Sequence, residues 1–115
     1  GYELWKSDGT AEGTVLVHDA HPGSVDGLSS PVSDDDRLTS SLRAAGGKLF
    51  FIAQDGTHGY ELWKSDGTSA GTAMVKEINP GANGGERSYL AVAMSVVFGV
   101  LLFVGADGVS GWELW

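Results

Sequence analysis

The sequence predicts an all-β fold, and three observations carry that prediction. The decapeptide GYELWKSDGT stands at 1–10 and again, unchanged, at 59–68, and a third copy opens at Gly111 as GWELW. Aromatic and β-branched runs alternate with turn formers, and 18 of the 115 residues are Gly, a composition of short strands joined by tight turns. Within each copy the apolar residues alternate, the period of a strand and not of a helix. A unit repeated in tandem is one supersecondary element that must stack on its neighbours to bury its apolar face.

The elements follow in order within one period. KLFFIAQD at 48–55 is a β-type run closed by Asp-Gly, and DGTHG at 55–59 is a turn. YELWKSD at 60–66 is the next strand, with Tyr60, Leu62 and Lys64 on one face and Glu61, Trp63 and Ser65 on the other. GTSAG at 67–71 turns the chain into a third strand, TAMVKEI at 72–78, and Asn79-Pro80-Gly81 punctuates it. A weaker strand at about 88–96 leads into the next cycle, with a counterpart near Arg37–Ala44. Four antiparallel strands in about 52 residues form a meander of the β-propeller blade type. A β-solenoid or a β-sandwich is the alternative.

The copies are 58 residues apart from Trp5 to Trp63 and 52 apart from Trp63 to Trp115. The difference falls in the stretch GLSSPVSDDDRLTSS, where a loop absorbs insertion at little cost. The chain reads as a single repeat domain over 1–115. It divides into a partial unit at 1–23, a full unit at about 24–81 and a degenerate partial unit at about 82–115. About two units are too few to close a ring, so the expectation is either a piece of a longer array or a protomer that assembles with copies of itself.

Net charge is −8, which argues against nucleic acid and anionic membrane surfaces as partners. Without cysteine there is no disulfide framework and no thiolate chemistry. Residues 89–106 carry no charge over 18 positions, the threshold length of a membrane helix. Leu101 and Phe103 nevertheless align with Leu49 and Phe51. The segment therefore reads as two strands with a turn near Phe98-Gly99, and membrane insertion is not expected.

ELWKSDGT followed by a Gly-Thr pair, at Gly13-Thr14 and Gly71-Thr72, resembles the ELWxxDGT repeat of long bacterial proteins. LFFIAQDGTHGYELW and Asn79-Pro80-Gly81 extend the resemblance over nearly the whole chain. It departs at His21-Pro22-Gly23, which replaces Asn-Pro-Gly, and in the degenerate stretch 82–100. The resemblance implies an exported, extracellular or cell-surface bacterial protein with propeller-like repeats, and it brings no activity with it.

Candidate sites are few. SDGT, with Asp8 and Asp66, offers alternate oxygens to a calcium ion, or else forms a turn. Asp34, Asp35 and Asp36 could join such a site or stand as a solvated loop. His18 and His21 flank Asp19 and suggest a metal, yet Lys76 and Asn79 replace them in the next copy. Trp5, Trp63, Trp112 and Trp115, with Glu3, Glu61 and Arg87, are residue types that hold a sugar, and equally the types that fill a core. No Gly-x-Ser-x-Gly elbow, phosphate loop or dinucleotide fingerprint is present. The expected function is a non-enzymatic scaffold or binding module of a surface or adhesion protein. One alternative is a carbohydrate-binding, self-assembled propeller lectin; the second is a metal-dependent enzyme using His18, His21 and nearby acids.

Overall fold

The computed structural model describes residues 1–28, 42–78, 93–107 and 109–115. Among these there is no helix, and three open antiparallel sheets account for all the regular structure. The first sheet pairs β1 (Leu4–Lys6) with β2 (Val15–His18). The central sheet is a four-stranded meander of β3 (Arg43–Ala45), β4 (Lys48–Gln54), β5 (Tyr60–Ser65) and β6 (Ala73–Lys76). The third sheet holds β7 (Ala93–Val97), β8 (Val100–Ala106) and β9 (Trp112–Leu114). The charge-free segment thus contributes two strands joined at Phe98-Gly99, and no described helix is long and apolar enough to cross a membrane.

Local chemistry sets the register. The β3–β4 connection is Gly46-Gly47, both with positive φ, the pair that a two-residue hairpin turn of matching twist requires. Downstream, Phe51 pairs with Trp63, Ile52 with Leu62 and Ala53 with Glu61. The third sheet repeats this 52 residues later, with Val104 opposite Leu114 and Gly105 opposite Glu113. Phe103 and Trp115 exchange both main-chain hydrogen bonds, at 3.1 and 2.8 Å. A bulge also recurs: pairing skips Val17 in β2 and Val75 in β6, each opposite the Leu-Trp step.

The core lies in two layers, one on each face of the central sheet. Phe51, Ala53 and Trp63 meet Leu4, Val17 and Ala20 of the first sheet and its exit. Ile52, Leu62 and Ile78 meet Met94 and Phe103 of the third sheet. Tyr60 joins this second layer, so the faces of β5 alternate as its sequence indicates, Tyr60 and Leu62 against Trp63. Arg43 Nε donates to the Met94 carbonyl at 3.2 Å and adds a polar tie between β3 and β7.

Candidate functional site

The two SDGT turns have the same hydrogen bonds. Asp8 Oδ1 accepts the Thr10 N–H at 2.9 Å and the Thr10 hydroxyl at 2.7 Å. Asp66 Oδ1 does the same with Thr68 at 2.9 and 2.7 Å. Ser7 and Thr14 share a hydroxyl bond at 2.7 Å, as do Ser65 and Thr72 at 2.7 Å. The Thr10 and Thr68 hydroxyls in turn accept the N–H of Gly13 and Gly71. A Cβ at Gly13 or Gly71 would run into the Asp8 or Asp66 carboxylate, so the glycine of each Gly-Thr pair is a close-approach residue. The Thr hydroxyl, followed by the Thr N–H, holds each Asp carboxyl below its ordinary range. In each loop the charge is therefore engaged in shaping the turn.

Glu3 and Glu61 clamp the end of the strand that follows them. Glu3 accepts the N–H of Ala20 at 3.1 Å and of Gly27 at 3.0 Å. Glu61, fully buried, accepts the N–H of Ile78 at 3.0 Å. Both carboxylates thus take an N–H from the residue seventeen positions on, the same separation in two copies. A Cβ at Gly27 would meet the Glu3 carboxylate. Residues 26–28 also tie two sheets together: Leu28 N–H donates to Tyr2, and Gln54 N–H to Gly27, each at 2.8 Å. Sequence reasoning missed this strap; Gly27 and the shared Glu spacing were its visible signals.

The tryptophans differ in surroundings. Trp63 is 7 % exposed and belongs to the core between the first and central sheets. Trp5 is 58 % exposed, and Trp112 and Trp115 are partly open. Trp115 stacks on Phe103 with centroids 6.4 Å apart and carries the Lys76 ammonium 5.1 Å from its ring. The His18 ring lies 5.8 Å from Trp63. His18 and Lys76 are equivalent positions, so both sheet junctions set a nitrogen-bearing side chain of one sheet against the tryptophan of the next.

Among the described residues, His18 and His21 included, no three His, Cys, Asp or Glu stand close enough to hold a metal. His21 Nδ1 is buried without a hydrogen-bond partner, and its ring fills the space over Gly56 that a Cβ would need. Asp34, Asp35, Asp36 and Arg87 lie outside the described residues. The first sheet meets the central one beside an open cleft of about 260 Å³ bordered by Leu4, Val17, Leu49 and Asp66. Lys6 Nζ donates to the Gly67 carbonyl at 2.9 Å at its edge.

Another titratable pair among the described residues sits in a turn. Asp55 accepts the N–H of Thr57 and His58, each at 2.9 Å, and pairs with His58 Nδ1 at 2.7 Å. Desolvation pushes the Asp55 carboxyl up, but the His58 N–H and imidazole outweigh it and hold the carboxyl below its usual range. The hydrogen bond to Asp55, then its charge, raises the His58 imidazole. Asp107 forms the same turn with Val109 and Ser110, where serine stands for the histidine.

No protein-family model, curated protein or solved structure matches the chain.

Proposed function

We propose that the chain is a non-enzymatic scaffold or binding module, built by stacking blade-type units of the ELWxxDGT pattern in an exported bacterial surface protein. One observation carries this reading. The motif residues that chemistry would need are engaged in the fold: Asp8 and Asp66 in their turns, Glu3 and Glu61 in strand clamps, Trp63 in the core. A motif spent on folding identical units supplies a surface and a length, and repeat proteins act through both. The extracellular setting rests on the family resemblance.

A second reading, a lectin, is favoured by the half-exposed Trp112, which replaces Tyr60 on its strand. An exposed indole offers an apolar plate to a sugar ring.

Thermal unfolding against a panel of saccharides and calcium separates the readings. A ligand that binds only the folded state raises the midpoint by mass action. The scaffold reading expects no shift with any of them. A rise with a saccharide, lost in Trp112→Ala, replaces it with the lectin. A rise with calcium, lost in the Asp8→Ala/Asp66→Ala double variant, makes the SDGT loops ion sites.

A further inference from the structure

Aspartate precedes glycine at five places, and four of these pairs lie wholly within the described residues: Asp8-Gly9, Asp26-Gly27, Asp55-Gly56 and Asp66-Gly67. At such a pair the main-chain nitrogen of the glycine can attack the side-chain carboxyl of the aspartate. Glycine has no Cβ to crowd that approach.

The four glycine N–H groups are not in the same state. Gly9 N–H donates to Ser7 Oγ at 3.0 Å, and Gly67 N–H to Ser65 Oγ at 3.0 Å. Gly27 N–H donates to Glu3 Oε1 at 3.0 Å. Gly56 is exposed, and among the described residues its N–H has no acceptor. The preceding residue explains the difference. Ser stands before Asp8 and Asp66, whereas Gln54 stands before Asp55 and turns its amide to the Asp26 carbonyl at 2.8 Å. The turns are otherwise alike. Asp8, Asp55 and Asp66 each accept the N–H two residues on at 2.9 Å. Each carboxyl is also held below its ordinary range. Neither turn shape nor ionisation separates these three pairs; the engagement of the glycine N–H does.

We propose that Asp55-Gly56 is a self-modification site, at which aspartate isomerises to isoaspartate, and that Ser7 and Ser65 guard the Asp-Gly pairs of the two SDGT turns against the same reaction. The Gly56 nitrogen forms a bond to Asp55 Cγ and gives up its proton to water. Asp55 Oδ1 already accepts the N–H of Thr57 and His58, so the charge of the tetrahedral intermediate falls on an oxygen with two donors in place. Oδ2 leaves as water. It takes one proton from the His58 imidazolium, whose Nδ1 stands 2.7 Å away, and the other is the proton lost by the nitrogen. The product is a five-membered imide. Water then adds to its main-chain carbonyl carbon, the bond from that carbon to the Gly56 nitrogen breaks, and the released proton returns to the imidazole. Nothing is oxidised or reduced, and the mass of the chain is unchanged. The main chain now runs through Asp55 Cβ, one atom longer in the β4–β5 connection. The side-chain carboxylate that held Thr57 and His58 is gone, so an aged chain loosens at this turn, against which the His21 ring is packed.

The test incubates the whole folded chain, warm and at neutral pH, and counts isoaspartate at each pair by peptide mass spectrometry with electron-transfer fragmentation. A guarded N–H must first leave its acceptor, which slows the attack about fivefold. Asp55-Gly56 is therefore expected to isomerise about fivefold faster than the other three pairs, and the four to react alike in urea, where the guards are lost. Ser7→Ala, at an exposed position, is expected to bring Asp8-Gly9 up to the Asp55-Gly56 rate, with Asp66-Gly67 of the same molecules as the unchanged control. If Ser7→Ala loses its strand signal in circular dichroism, Gln54→Ser makes the reverse change and is expected to slow Asp55-Gly56. Isoaspartate that accumulates no faster at Asp55-Gly56 than at the guarded pairs of the folded chain overturns the proposal. So does a folded Ser7→Ala chain in which Asp8-Gly9 stays slow, or a folded Gln54→Ser chain in which Asp55-Gly56 stays fast.

Discussion

Leu62 in the central sheet and Leu114 in the third hold the same register position, opposite Ile52 and Val104, yet one is buried and the other open to solvent. Trp63 and Trp5 differ in the same way. The comparison separates two things that the repeated motif does. Register and turns are local. They come from hydrogen bonds inside the motif and from Gly at positive φ, and they are the same in covered and uncovered copies. Burial is not local, because it needs the next sheet. The hydrophobic effect scales with apolar area taken from water, so identical residues are worth different amounts along the chain.

Truncating the aromatic residue in each sheet gives the largest expected difference between covered and open faces. Trp63→Ala empties a core position between two sheets and is expected to cost about 3–5 kcal/mol. Trp115→Ala removes the stack on Phe103 and the Lys76 contact and is expected to cost less. Trp5→Ala should stay within about 1 kcal/mol, the range of an exposed substitution. Denaturant unfolding at low protein concentration reads all three. Equal losses would mean that the covered and open faces are not energetically distinct.

The glutamates sharpen the same contrast on the polar side. Glu61→Ala strips the buried Ile78 N–H of its acceptor, and an unpaired buried donor costs about 1–3 kcal/mol. The exposed Glu113 at the equivalent position of β9 should tolerate alanine within about 0.5 kcal/mol. Unfolding midpoints of the two variants check this, and a loss at Glu113 as large as at Glu61 would show that the clamp does not depend on burial.

What was legible in the sequence divides along the same line. The strands 48–55 and 60–66, the alternation of Leu62 against Trp63 and the turn at Phe98-Gly99 follow from periodicity and turn chemistry, and the structure holds them. The loss of Trp63 to the core and the exposure of Trp5 were not legible, because the decapeptides around them are identical. Only the position in the stack tells them apart. The role of Glu3 and Glu61 was hidden for another reason. A carboxylate that accepts an N–H seventeen residues away leaves no short motif, although the recurrence of that interval in two copies was there to be measured.

Hairpin tips give a smaller contrast. Gly46 in the central sheet aligns with Phe98 in the third, and Phe98 adopts φ of 50°, fully exposed. A bulky residue there is strained where Gly is not. Phe98→Gly should therefore stabilise the chain by about 0.5–1 kcal/mol, although Gly also loses more entropy on folding. A midpoint raised by a few degrees is the expected reading, and a lowered one would mean that the phenyl ring makes contacts worth more than the strain.

The smallest contrast is one of charge, between His58 and Ser110 in matching turns. The raised imidazole of His58 means that its bond to Asp55 is strongest while the ring is protonated. That stabilisation is fully present below the ordinary histidine value and is lost as pH rises through the raised one. The lowered carboxyl of Asp55 works from the other side. Its stabilisation is present above the ordinary aspartate value and is lost as pH falls through the lowered one. The pair is therefore most effective on the acid side of neutrality, between the two titrations. His58→Ser copies the turn of the third sheet, which keeps the Asp N–H bonds but has no imidazole to titrate. Midpoints measured from acid to mildly alkaline pH should differ most between wild type and variant in that window and converge above it. A difference that persists unchanged at alkaline pH would assign the effect to packing of the ring and not to its charge.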